Sequence, residues 1–515
     1  MTPYFMITIF FTLFTYPAKQ WLTAILPTGI PTLPRYHLVI CPSSIAINHV
    51  ATGINLILSA LGLLAQSLSL DEVRLELGPQ LSESARISEN GQEFARWSEY
   101  YSPTPGVVVS VASEEDVAVT FFAQSGAHGF TTTMDVPPDG ILINLRQLNS
   151  VTFNDERTKV TLGGGVLISE IIEAAASNST LVLTGNCNCV GAIGAILGGG
   201  YGNLMGIYGY GVDNILSLNV VSGDGVLQTV TDGDDLFWAV RGAGPNFGVV
   251  TSVIMKAYPV QPAGLYAWLG TLTFTGDKIE AVTKAISELE LKPEMNLLMY
   301  FLDARAPSKT PTIVVTPFYH GSEAEGRAAF SSLLNLGPTL DTTASTHYTH
   351  WNDGSQSACI KGDRKPSYCS GLAKIDPGTW KQVWDEYVTW VSSNDGKSRN
   401  STVILEAYSM DRVQSFPVNS SSVPWRGRIK FNALVVPWYK DEDLDLAAES
   451  YGRFTRSLIL STSGLDPPAT YVNFAYGDEE PSEVYGHQLP RLQKLKAKHD
   501  PNNIFDQSFH IEPKY

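Results

Sequence analysis

The stretch best suited to chemistry lies between residues 184 and 202, where seven of nineteen residues are glycine. Glycine leaves backbone N–H groups uncovered and tolerates positive φ angles, so this loop suits an anionic group such as a pyrophosphate. The apolar residues between the glycines, among them Ile193 and Leu197, have no place in a flexible Gly/Ser linker. The sequence therefore predicts a folded, tightly packed turn that binds a ligand.

Two cysteines, Cys187 and Cys189, stand at the entrance of this loop. A thiol beside such a loop is a candidate for a covalent bond to the ligand, whereas a free cysteine is more often a small buried hydrophobic residue. Spacing alone favours the second interpretation. The other cysteines are scattered, and Cys359 and Cys369 could form a disulfide in an oxidising compartment.

Histidines are candidates for metal binding or catalysis. His347 and His350 are close in sequence, but no carboxylate or thiolate partner accompanies them, and no cysteine pair has structural zinc spacing with matching histidines. We therefore predict no metal site. His128 lies in a second turn of small residues, Ser125–Gly129, and a lone histidine in a loop is usually solvated.

A third glycine-rich turn, residues 241–248, precedes a strand-like run from Val253 to Ala257. None of the three turns combines Gly-x-Gly-x-x-Gly, a helix and a distal acidic residue in the order that binds dinucleotides in Rossmann folds. A nicotinamide cofactor is therefore disfavoured.

Length and charge restrict the possible classes of protein. A chain of 515 residues exceeds what one hydrophobic core supports, so two or more domains are expected. The 35 basic and 51 acidic residues give a formal net charge of -16. This balance argues against nucleic-acid or anionic-membrane partners, because both are bound through basic patches.

Between residues 107 and 176, strand-like and helical patterns alternate irregularly, which predicts an α+β fold. Ser113–Asp116 resembles an N-cap with an acidic first turn and predicts a helix to about Gln124. The other expected elements are strands at 107–111, 141–145 and 159–162, a helix at 167–176, and a strand at 215–221 that leads into a hairpin at 222–225.

From about residue 262 to 460, strand-like runs alternate with amphipathic helices, which predicts an antiparallel sheet backed by helices. The expected strands are 265–272, 297–301, 313–318, 403–407 and 430–436, and the expected helices are 278–289 and 380–391. The C-terminal segment returns to loops and helices, with a basic helix expected at 491–498. These changes in pattern divide the chain into four predicted regions: 1–66, 67–260, 261–465 and 466–515.

The N-terminal region predicts targeting. Residues 4–16 form an apolar run as long as a signal-peptide core, and 53–66 form a second one far inside the chain. Either the first targets the chain and the second packs, or the true start lies downstream of the printed one. We expect a secretory protein, with a membrane anchor as the alternative. Sequons at Asn178, Asn400 and Asn419 would then accept N-glycans.

Three blocks occur together: Gly-x-Cys-x-x-Val-Gly…Leu-Gly-Gly-Gly from residue 185, Asp-Leu-Phe-Trp-Ala…Asn-Phe-Gly from residue 235, and Tyr-Val-Asn-Phe…Asp-Pro-x-Asn-x-Phe from residue 471. From about Trp97 to the C-terminus the chain thus resembles the berberine bridge enzyme-like FAD-linked oxidoreductases. Their flavin domain is shared with p-cresol methylhydroxylase (PCMH) and vanillyl-alcohol oxidase. The resemblance implies FAD and a two-part PCMH-type FAD-binding domain plus a substrate domain.

The resemblance assigns roles to two residues at the cofactor. His128 falls on the family's 8α-histidyl attachment position and Cys187 on its 6-S-cysteinyl position. Two covalent bonds should raise the flavin's reduction potential and favour hydride acceptance from an alcohol or amine carbon. The sequence departs from the family at Ala127, which replaces a pyrophosphate-contacting glycine, and at Gln124, which replaces a basic residue.

Further cofactor contacts follow from the same motifs. They are Ser125, Gly126, Ala127, Gly129, Val190, Gly191, Gly194, Gly198, Gly199, Gly200, Asp213, Asn246, Gly248, Val250 and Asn473. Val190 falls on the family's oxygen-gate position, where valine admits O2, so the resemblance implies an oxidase that releases H2O2. A valine between glycines can equally be a packing residue.

On the substrate side, the strand that bears the family's Lys-x-Glu or Lys-x-Gln is matched by Lys430-Phe-Asn432, and asparagine cannot act as a general base. The family's Tyr-x-Asn-Tyr is reduced to residues 471–474, with phenylalanine last. The candidate bases are therefore Tyr471, Glu406 and Tyr408. Lys430 could lower the pKa of a nearby phenol.

The sequence thus predicts a secretory FAD-dependent oxidase for a small organic metabolite, such as an intermediate of secondary metabolism. Carbohydrate oxidation is the alternative within the enzyme class. The departures at Asn432 and Phe474 leave a third possibility, a flavin-binding protein without turnover.

Overall fold

In a computed structural model of the chain, the residues described are 70–89, 95–102, 105–114, 116–117, 122–134, 136, 140–303 and 310–515. The two N-terminal apolar runs, and with them the predicted targeting region 1–66, lie outside these ranges. Among the described residues, no helix is both long and apolar enough to cross a membrane.

The first half of the described chain contains two small sheets and a two-stranded ribbon. Its strands are β1 (Arg86–Glu89), β2 (Val107–Ser110), β3 (Phe122–Gln124), β4 (Ile141–Asn144), β5 (Val151–Phe153), β6 (Lys159–Gly163), β7 (Thr180–Leu181), β8 (Ile215–Val221), β9 (Leu227–Thr231), β10 (Val249–Lys256) and β11 (Tyr258–Pro259). One sheet has the order β1-β2-β4-β3 and the other β5-β6-β10-β8-β9, while β7 pairs with β11.

The first sheet mixes parallel and antiparallel pairs. Strand β4 pairs in parallel with both β2 and β3, and β1 adds to β2 in the antiparallel sense. Strand β2 is buried along its whole length, as expected for a parallel strand covered on both faces. The predicted helix to Gln124 is wrong at its end, because Phe122–Gln124 forms strand β3 against β4. The Asp116 carboxylate instead accepts hydrogen bonds from the backbone of Ala112 and Ser113.

The helices alternate with these strands and continue into the second half. They are α1 (Leu70–Leu77), α2 (Ile168–Ser177), α3 (Ala192–Leu197), α4 (Met205–Tyr208), α5 (Asp235–Ala243), α6 (Ile279–Glu288), α7 (Glu323–Ala329), α8 (Ser331–Leu334), α9 (Pro377–Ser392), α10 (Asp411–Gln414), α11 (Asp445–Leu460), α12 (Pro481–Tyr485) and α13 (Leu489–His499). Helix α2 shows how local residues define a helix. Glu170 accepts a hydrogen bond from the Leu167 backbone at its start, and isoleucines one turn apart form its buried face.

The second half is built on one nine-stranded antiparallel sheet. Its strands are β12 (Tyr266–Leu269), β13 (Leu272–Thr275), β14 (Met295–Asp303), β15 (Pro311–Tyr319), β16 (Leu340–Asp341), β17 (Ala344–His347), β18 (Tyr368–Leu372), β19 (Thr402–Tyr408) and β20 (Phe431–Val436). The main order is β16-β13-β15-β14-β19-β20-β18, and β12 pairs with β15 and β17.

The two faces of this sheet have different partners because side chains alternate along a strand. On β14, residues 297, 299 and 301 join an apolar core with helices α6 and α9. The next residues along the strand point the other way, and the Asn296 amide donates to the Asn203 carbonyl of the first half at 3.1 Å. The even-numbered face of β14 and β19 therefore meets the glycine-rich region of the first half.

The C-terminal segment packs back on the first half. The buried Lys496 ammonium, in α13, donates to the backbone carbonyl of Asn246 at 2.8 Å and pairs with Asp500. The Asn246 side chain in turn accepts a hydrogen bond from the Ile511 backbone at 2.8 Å. These contacts hold the segment that carries Tyr471 against the glycine-rich turns.

Candidate active site

Two of the predicted glycine turns touch each other. A Cβ on Gly126 would collide with the backbone nitrogen of Gly191, and a Cβ on Gly191 would collide with the Ser125 hydroxyl. Any side chain at either position would separate the turns. This contact places His128 beside the entrance of the central loop.

His128 is held in a defined orientation. Its ring stacks on Trp97 with centroids 4.8 Å apart, and Nε2 lies 3.3 Å from the Ala358 carbonyl oxygen. A carbonyl can only accept a hydrogen bond, so Nε2 carries the proton at this contact and Nδ1 keeps its lone pair. Burial lowers the pKa of His128 to about 4, which keeps the imidazole neutral and nucleophilic at neutral pH.

The cysteines are arranged differently from the expected pairing. Cys359 forms a disulfide with Cys189, 170 positions away in sequence, while Cys369 is a buried free thiol on β18. The predicted Cys359–Cys369 disulfide is therefore wrong, because tertiary packing brings the 353–359 turn to the central loop. Cys187 stays free, and burial raises the pKa of its thiol.

Cys187 and His128 are neighbours, as the motif match predicts. The His128 ring nitrogen and the sulfurs of Cys187 and Cys189 all lie within 4.8 Å of one another. A neutral imidazole and a thiol therefore converge on one point at the junction of the two turns.

Helix α3 and the glycines around it receive the C-terminal segment. A Cβ on Gly198 would collide with the Asn473 side chain, whose amide donates to the Ala195 carbonyl at 2.7 Å. A Cβ on Gly199 would lie 3.1 Å from the Tyr471 ring. Gly194 differs, because a Cβ there would meet nothing within 4 Å, so this face of the helix is open.

Several predicted cofactor residues have partners within the protein. Asn246 binds the C-terminal segment as described above, and Val250 lies buried on β10. Gly248 has φ of 153°, and a Cβ there would lie 2.6 Å from a methyl group of Val220. Val190 is partly buried against the core of the first half. The flavin contacts assigned to these residues stay predictions.

Asp213 makes a buried bidentate ion pair. Its carboxylate accepts from the Arg426 guanidinium at 2.5 and 2.9 Å, and the two side chains are only 1% and 2% exposed. It also accepts from the Tyr210 backbone at 2.9 Å. This pairing joins the glycine-rich region to the loop before β20, which is a structural role.

We expect Asp213→Asn to lower the free energy of unfolding by about 3–5 kcal/mol, because it leaves the buried Arg426 charge uncompensated. Asp385→Asn is the matched control, since it removes the partner of Lys381 in an exposed helical pair and should cost about 0.5 kcal/mol or less. Urea denaturation of both variants measures the difference. Equal midpoints would contradict the structural role of Asp213.

Ala127 occupies a glycine-like conformation. It is buried and has φ of 57°, the left-handed region, where a Cβ costs about 1–2 kcal/mol. We expect Ala127→Gly to raise the free energy of unfolding by about 0.5–1 kcal/mol, with the unfolded-state entropy of glycine offsetting part of the gain.

Ala328→Gly is the control for this prediction, because Ala328 lies exposed in α7 and glycine there should cost about 1 kcal/mol. The two substitutions should therefore shift the denaturation midpoint in opposite directions. A loss of stability in both variants would show that the left-handed conformation at Ala127 carries no cost.

Arg96 is a site residue that the sequence did not indicate. Its guanidinium donates to the Gly129 carbonyl at 3.1 Å, and burial lowers its pKa to about 10. Within the described ranges, no carboxylate forms an ion pair with Arg96. A half-buried cation beside the His128 turn supplies the positive charge that Gln124 does not.

Glu406 is the acidic group of the sheet face that meets the first half. Strand β19 pairs it with Leu298 on one side and Asn432 on the other, so the three side chains point to the same face. Burial raises the pKa of Glu406 to about 7, and the Tyr408 hydroxyl donates to its carboxylate at 3.3 Å. The carboxylate thus lies one strand away from the position where the family motif led us to seek it.

A cluster of tyrosines begins at Tyr408, which contacts this carboxylate. The Tyr201 ring lies 4.5 Å from that of Tyr471 and 5.6 Å from that of Tyr408, and its hydroxyl is 3.1 Å from the Tyr210 hydroxyl. The sequence did not single out Tyr201, although it belongs to the central Leu-Gly-Gly-Gly-Tyr-Gly motif. Burial raises the pKa of Tyr471 and of Tyr408, so both phenols are protonated at neutral pH.

The structure does not support the roles considered for the remaining candidates, Lys430 near a phenol and His347 with His350 at a metal. The Lys430 side chain is exposed just before β20, where water screens its charge from the buried phenols. His347 and His350 bind different partners, Thr349 and Asp353, both at 2.9 Å. Of the three candidate bases, Glu406 alone has a pKa near neutrality.

The geometry fits an FAD-binding protein. Two glycine turns in contact, with a half-buried arginine and a neutral imidazole beside them, form a surface that suits a dinucleotide. Comparison with known proteins agrees. A family model of an FAD binding domain matches residues 107–231, and one described as berberine and berberine like matches residues 470–511.

Among curated relatives, an FAD-linked oxidoreductase of Pyricularia oryzae is 31% identical over 455 residues, which cover 83% of this chain and 89% of the relative. One of Aspergillus fumigatus is 33% identical over 440 residues, which cover 79% and 92%. The class is thus FAD-linked oxidoreductase. The chain belongs to the berberine bridge enzyme-like family of these oxidoreductases.

Solved structures share the fold. Xylooligosaccharide oxidase from Myceliophthora thermophila, in complex with xylobiose, has a TM-score of 0.71 at 20% identity and covers 87% of this chain and 100% of its own. A variant of berberine bridge enzyme in complex with (S)-reticuline has a TM-score of 0.72 at 18% identity, with coverage of 87% and 99%. The predicted family, α+β fold class and FAD-linked activity are confirmed.

Proposed function

We propose that this FAD-linked oxidoreductase is an oxidase that takes a hydride from a small organic substrate and passes the electrons to O2 with release of H2O2. The observation that carries the proposal is Glu406, a buried carboxylate with a pKa of about 7 on the sheet face that meets the glycine-rich turns. FAD, when bound, supplies the two-electron acceptor. The chain supplies the base and the substrate contacts.

Glu406 acts as the general base. At neutral pH a substantial fraction of it is ionised, and its desolvated carboxylate is a strong acceptor for the proton of a substrate hydroxyl. Tyr408 orients it through the hydroxyl bond, and the Asn186 amide fixes Tyr408 in turn by donating to the same hydroxyl at 2.9 Å. This Asn186–Tyr408–Glu406 chain holds the proton acceptor in place.

Asn432 supplies a substrate contact in place of a base. Its Oδ1 is buried, and among the described residues it has no hydrogen-bond partner. An unpaired buried acceptor costs about 1–3 kcal/mol, so a donor on the substrate would recover this energy. We therefore propose that a substrate hydroxyl or N–H donates to Asn432 while Glu406 removes a proton.

The substrate is best matched by a compact aromatic or otherwise apolar alcohol. The Tyr408 ring beside Glu406 packs on Tyr201, which packs on Tyr471. The hydroxyls of Tyr201 and Tyr471 already bind protein groups. A sugar needs many free hydrogen-bonding groups, which this surface offers sparsely. Carbohydrate oxidation stays the alternative because fold relatives include an oligosaccharide oxidase.

We further propose that FAD is attached covalently, through Nδ1 of His128 and also through Cys187. The neutral imidazole and the adjacent thiol support this proposal, because both are positioned at the contact of the two glycine turns. The buried thiol must lose its proton to react, so Cys187 is the less reactive of the two groups.

Peroxide release across a panel of benzylic alcohols, aliphatic alcohols and oligosaccharides tests the proposed activity. We expect one H2O2 per substrate oxidised, with aromatic or apolar alcohols as the preferred class. Preference for oligosaccharides would favour the alternative. Bound FAD with no reduction by any member of the panel would instead indicate a flavin-binding protein without turnover.

We also propose a secretory location. A disulfide between Cys189 and Cys359 suits an oxidising compartment, and the side chains of Asn400 and Asn419 are exposed. Asn178 is half-buried, and its amide donates to the Ala174 carbonyl at 2.8 Å.

Glycosidase treatment of the protein from a eukaryotic host should therefore lower its apparent mass on a gel. Before treatment, Asn419→Gln should lower the apparent mass by one glycan. An unmodified chain in the medium would contradict the glycan proposal.

A further inference from the structure

Three sulfur atoms and one imidazole meet where the two glycine turns touch. Cys187 Sγ lies 3.6 Å from Cys189 Sγ and 3.9 Å from Cys359 Sγ. The last two are joined as a disulfide, and a ring nitrogen of His128 lies within 4.8 Å of Cys187 and Cys189. The cluster draws on three separate stretches of the chain.

The sulfur geometry does not favour exchange between the free thiol and the disulfide. A thiolate attacks a disulfide along the S–S axis, so its distances to the two sulfurs should differ by about one S–S bond, ~2 Å. The observed distances of 3.6 and 3.9 Å are nearly equal. Cys187 thus faces the side of the bond, and the three sulfurs form a triangle.

Three cysteine sulfurs and one imidazole are a ligand set of structural zinc ions. Zn–S bonds of about 2.3 Å in a tetrahedron place sulfurs about 3.8 Å apart. The two distances from Cys187 match this separation, and the third edge requires the Cys189–Cys359 bond to open. The ligand atoms within 4.8 Å of one another belong to His128, Cys187 and Cys189, so the freed Cys359 thiol must also move towards the imidazole.

The tautomer of the His128 imidazole also suits a metal ligand. Ligating histidines commonly donate their second N–H to a backbone carbonyl, which fixes the tautomer and leaves the other nitrogen for the metal. His128 has this arrangement, with Nε2 donating to Ala358, the residue next to Cys359. Its position beside the ring of Trp97 excludes water from one face.

We propose that the reduced chain binds one Zn²⁺ through Nδ1 of His128 and the thiolates of Cys187, Cys189 and Cys359. A dithiol reductant first transfers two electrons and two protons to Cys189 and Cys359 and becomes a disulfide itself. Zn²⁺ then displaces three thiol protons. The sequence led us to expect no metal, because no cysteine pair has structural zinc spacing with matching histidines.

Nearby charges suit this site. Three thiolates and one Zn²⁺ carry a net charge of −1. The Lys365 ammonium lies 4.8 Å from the centroid of the Trp97 ring, which stacks on His128, so one positive charge is near enough to balance that charge. Lys365 is buried and donates to the carbonyls of Trp97 and Ile360, both at 2.6 Å.

The site has a consequence for cofactor attachment, which rests on the proposed function. Zinc and the flavin would require the same two side chains, His128 and Cys187. The reduced chain would therefore keep these nucleophiles protected as zinc ligands until the Cys189–Cys359 disulfide forms and releases them for attachment.

Cobalt titration of the flavin-free full-length chain tests the metal site. After anaerobic reduction with a phosphine, we expect one Co²⁺ per chain, with the charge-transfer and ligand-field bands of tetrahedral thiolate ligation, and displacement of Co²⁺ by Zn²⁺. The oxidised chain should show neither band. Absence of these bands from the reduced wild-type chain would overturn the proposal without any variant.

Substitutions identify the ligands. Cys359→Ala should weaken Co²⁺ binding by about 100-fold or more, because loss of a ligand exceeds the 10–100-fold effect of losing a supporting group. Cys369→Ala removes a buried thiol elsewhere and is the matched control. Near-UV circular dichroism confirms that both variants fold. Equal affinities for the two variants would show that Cys359 is not a ligand.

A competition experiment separates this inference from the proposed function. Zinc-loaded reduced chain incubated with FAD should gain no flavin on the His128 or Cys187 peptides, whereas the same chain treated with a chelator and oxidised should gain it. Cobalt bands without flavin attachment under either condition would support the metal site and contradict the covalent flavin. Attachment at full rate in the zinc-loaded chain would overturn the shared-ligand arrangement.

Discussion

Replacement of Glu406 by glutamine is expected to lower kcat by about 10²–10⁴-fold, the contribution of a positioned general base. Glutamine keeps the shape and the hydrogen bond to Tyr408 but cannot accept a proton. Stopped-flow reduction of the bound flavin by substrate measures this step directly, and retention of FAD shows that the fold is intact. A rate within about threefold of the wild type would assign the base elsewhere.

The pH dependence of kcat/KM tests the same role of Glu406, and the direction of the change is fixed by the charge of the active form. Glu406 is active when ionised, so kcat/KM should fall as pH drops through about 7. In Glu406→Gln this limb should disappear. The Tyr408 hydroxyl lowers the pKa of Glu406 by donating to it, so Tyr408→Phe should move the limb to higher pH. A shift to lower pH would contradict the contact between the two side chains.

Replacement of His128 by alanine is expected to abolish one of two covalent links to FAD. The protein should still bind flavin through the glycine turns and Cys187, but the reduction potential should fall. For a two-electron couple, a drop of about 30 mV makes substrate oxidation tenfold less favourable. Potentiometry under anaerobic conditions measures the shift, and Cys187→Ser should produce a second one.

His350→Ala is the control for this experiment, because His350 is exposed and hydrogen-bonds Asp353. It should leave the potential and the flavin content unchanged. If His128→Ala also leaves the potential unchanged, the imidazole is not attached to the cofactor.

Much of the fold could be predicted from local patterns. Apolar runs such as Ile313–Phe318 become long central strands because the sheet buries them whichever neighbour they pair with. The segment from Ser113 to Gln124 shows the limit. Its local cap signals favour a helix, but parallel pairing with β4 places Phe122–Gln124 in a sheet. Pairing between distant strands leaves no mark in a local window.

The candidate site could also be predicted only in part from the sequence. The family motifs assigned His128 and Cys187 to one cofactor, and the structure brings the two side chains together. The motifs could not reveal that Cys359 joins them, since this contact depends on the docking of a turn 170 positions from Cys189. Nor could they rank Glu406 above the two tyrosines, because its pKa results from burial between the two halves of the chain.

The measurement that tests the central claim most directly is the mass of two tryptic peptides from the folded, acid-precipitated protein. Residues 97–146 contain His128 and no cysteine, whereas residues 160–241 contain Cys187 and Cys189. The digest is reduced first, because the Cys189–Cys359 disulfide otherwise joins the second peptide to the one that carries Cys359. We predict that FAD adds to the first peptide and bridges it to the second. A folded protein that takes up no FAD, with both peptides at their unmodified masses, would contradict the account.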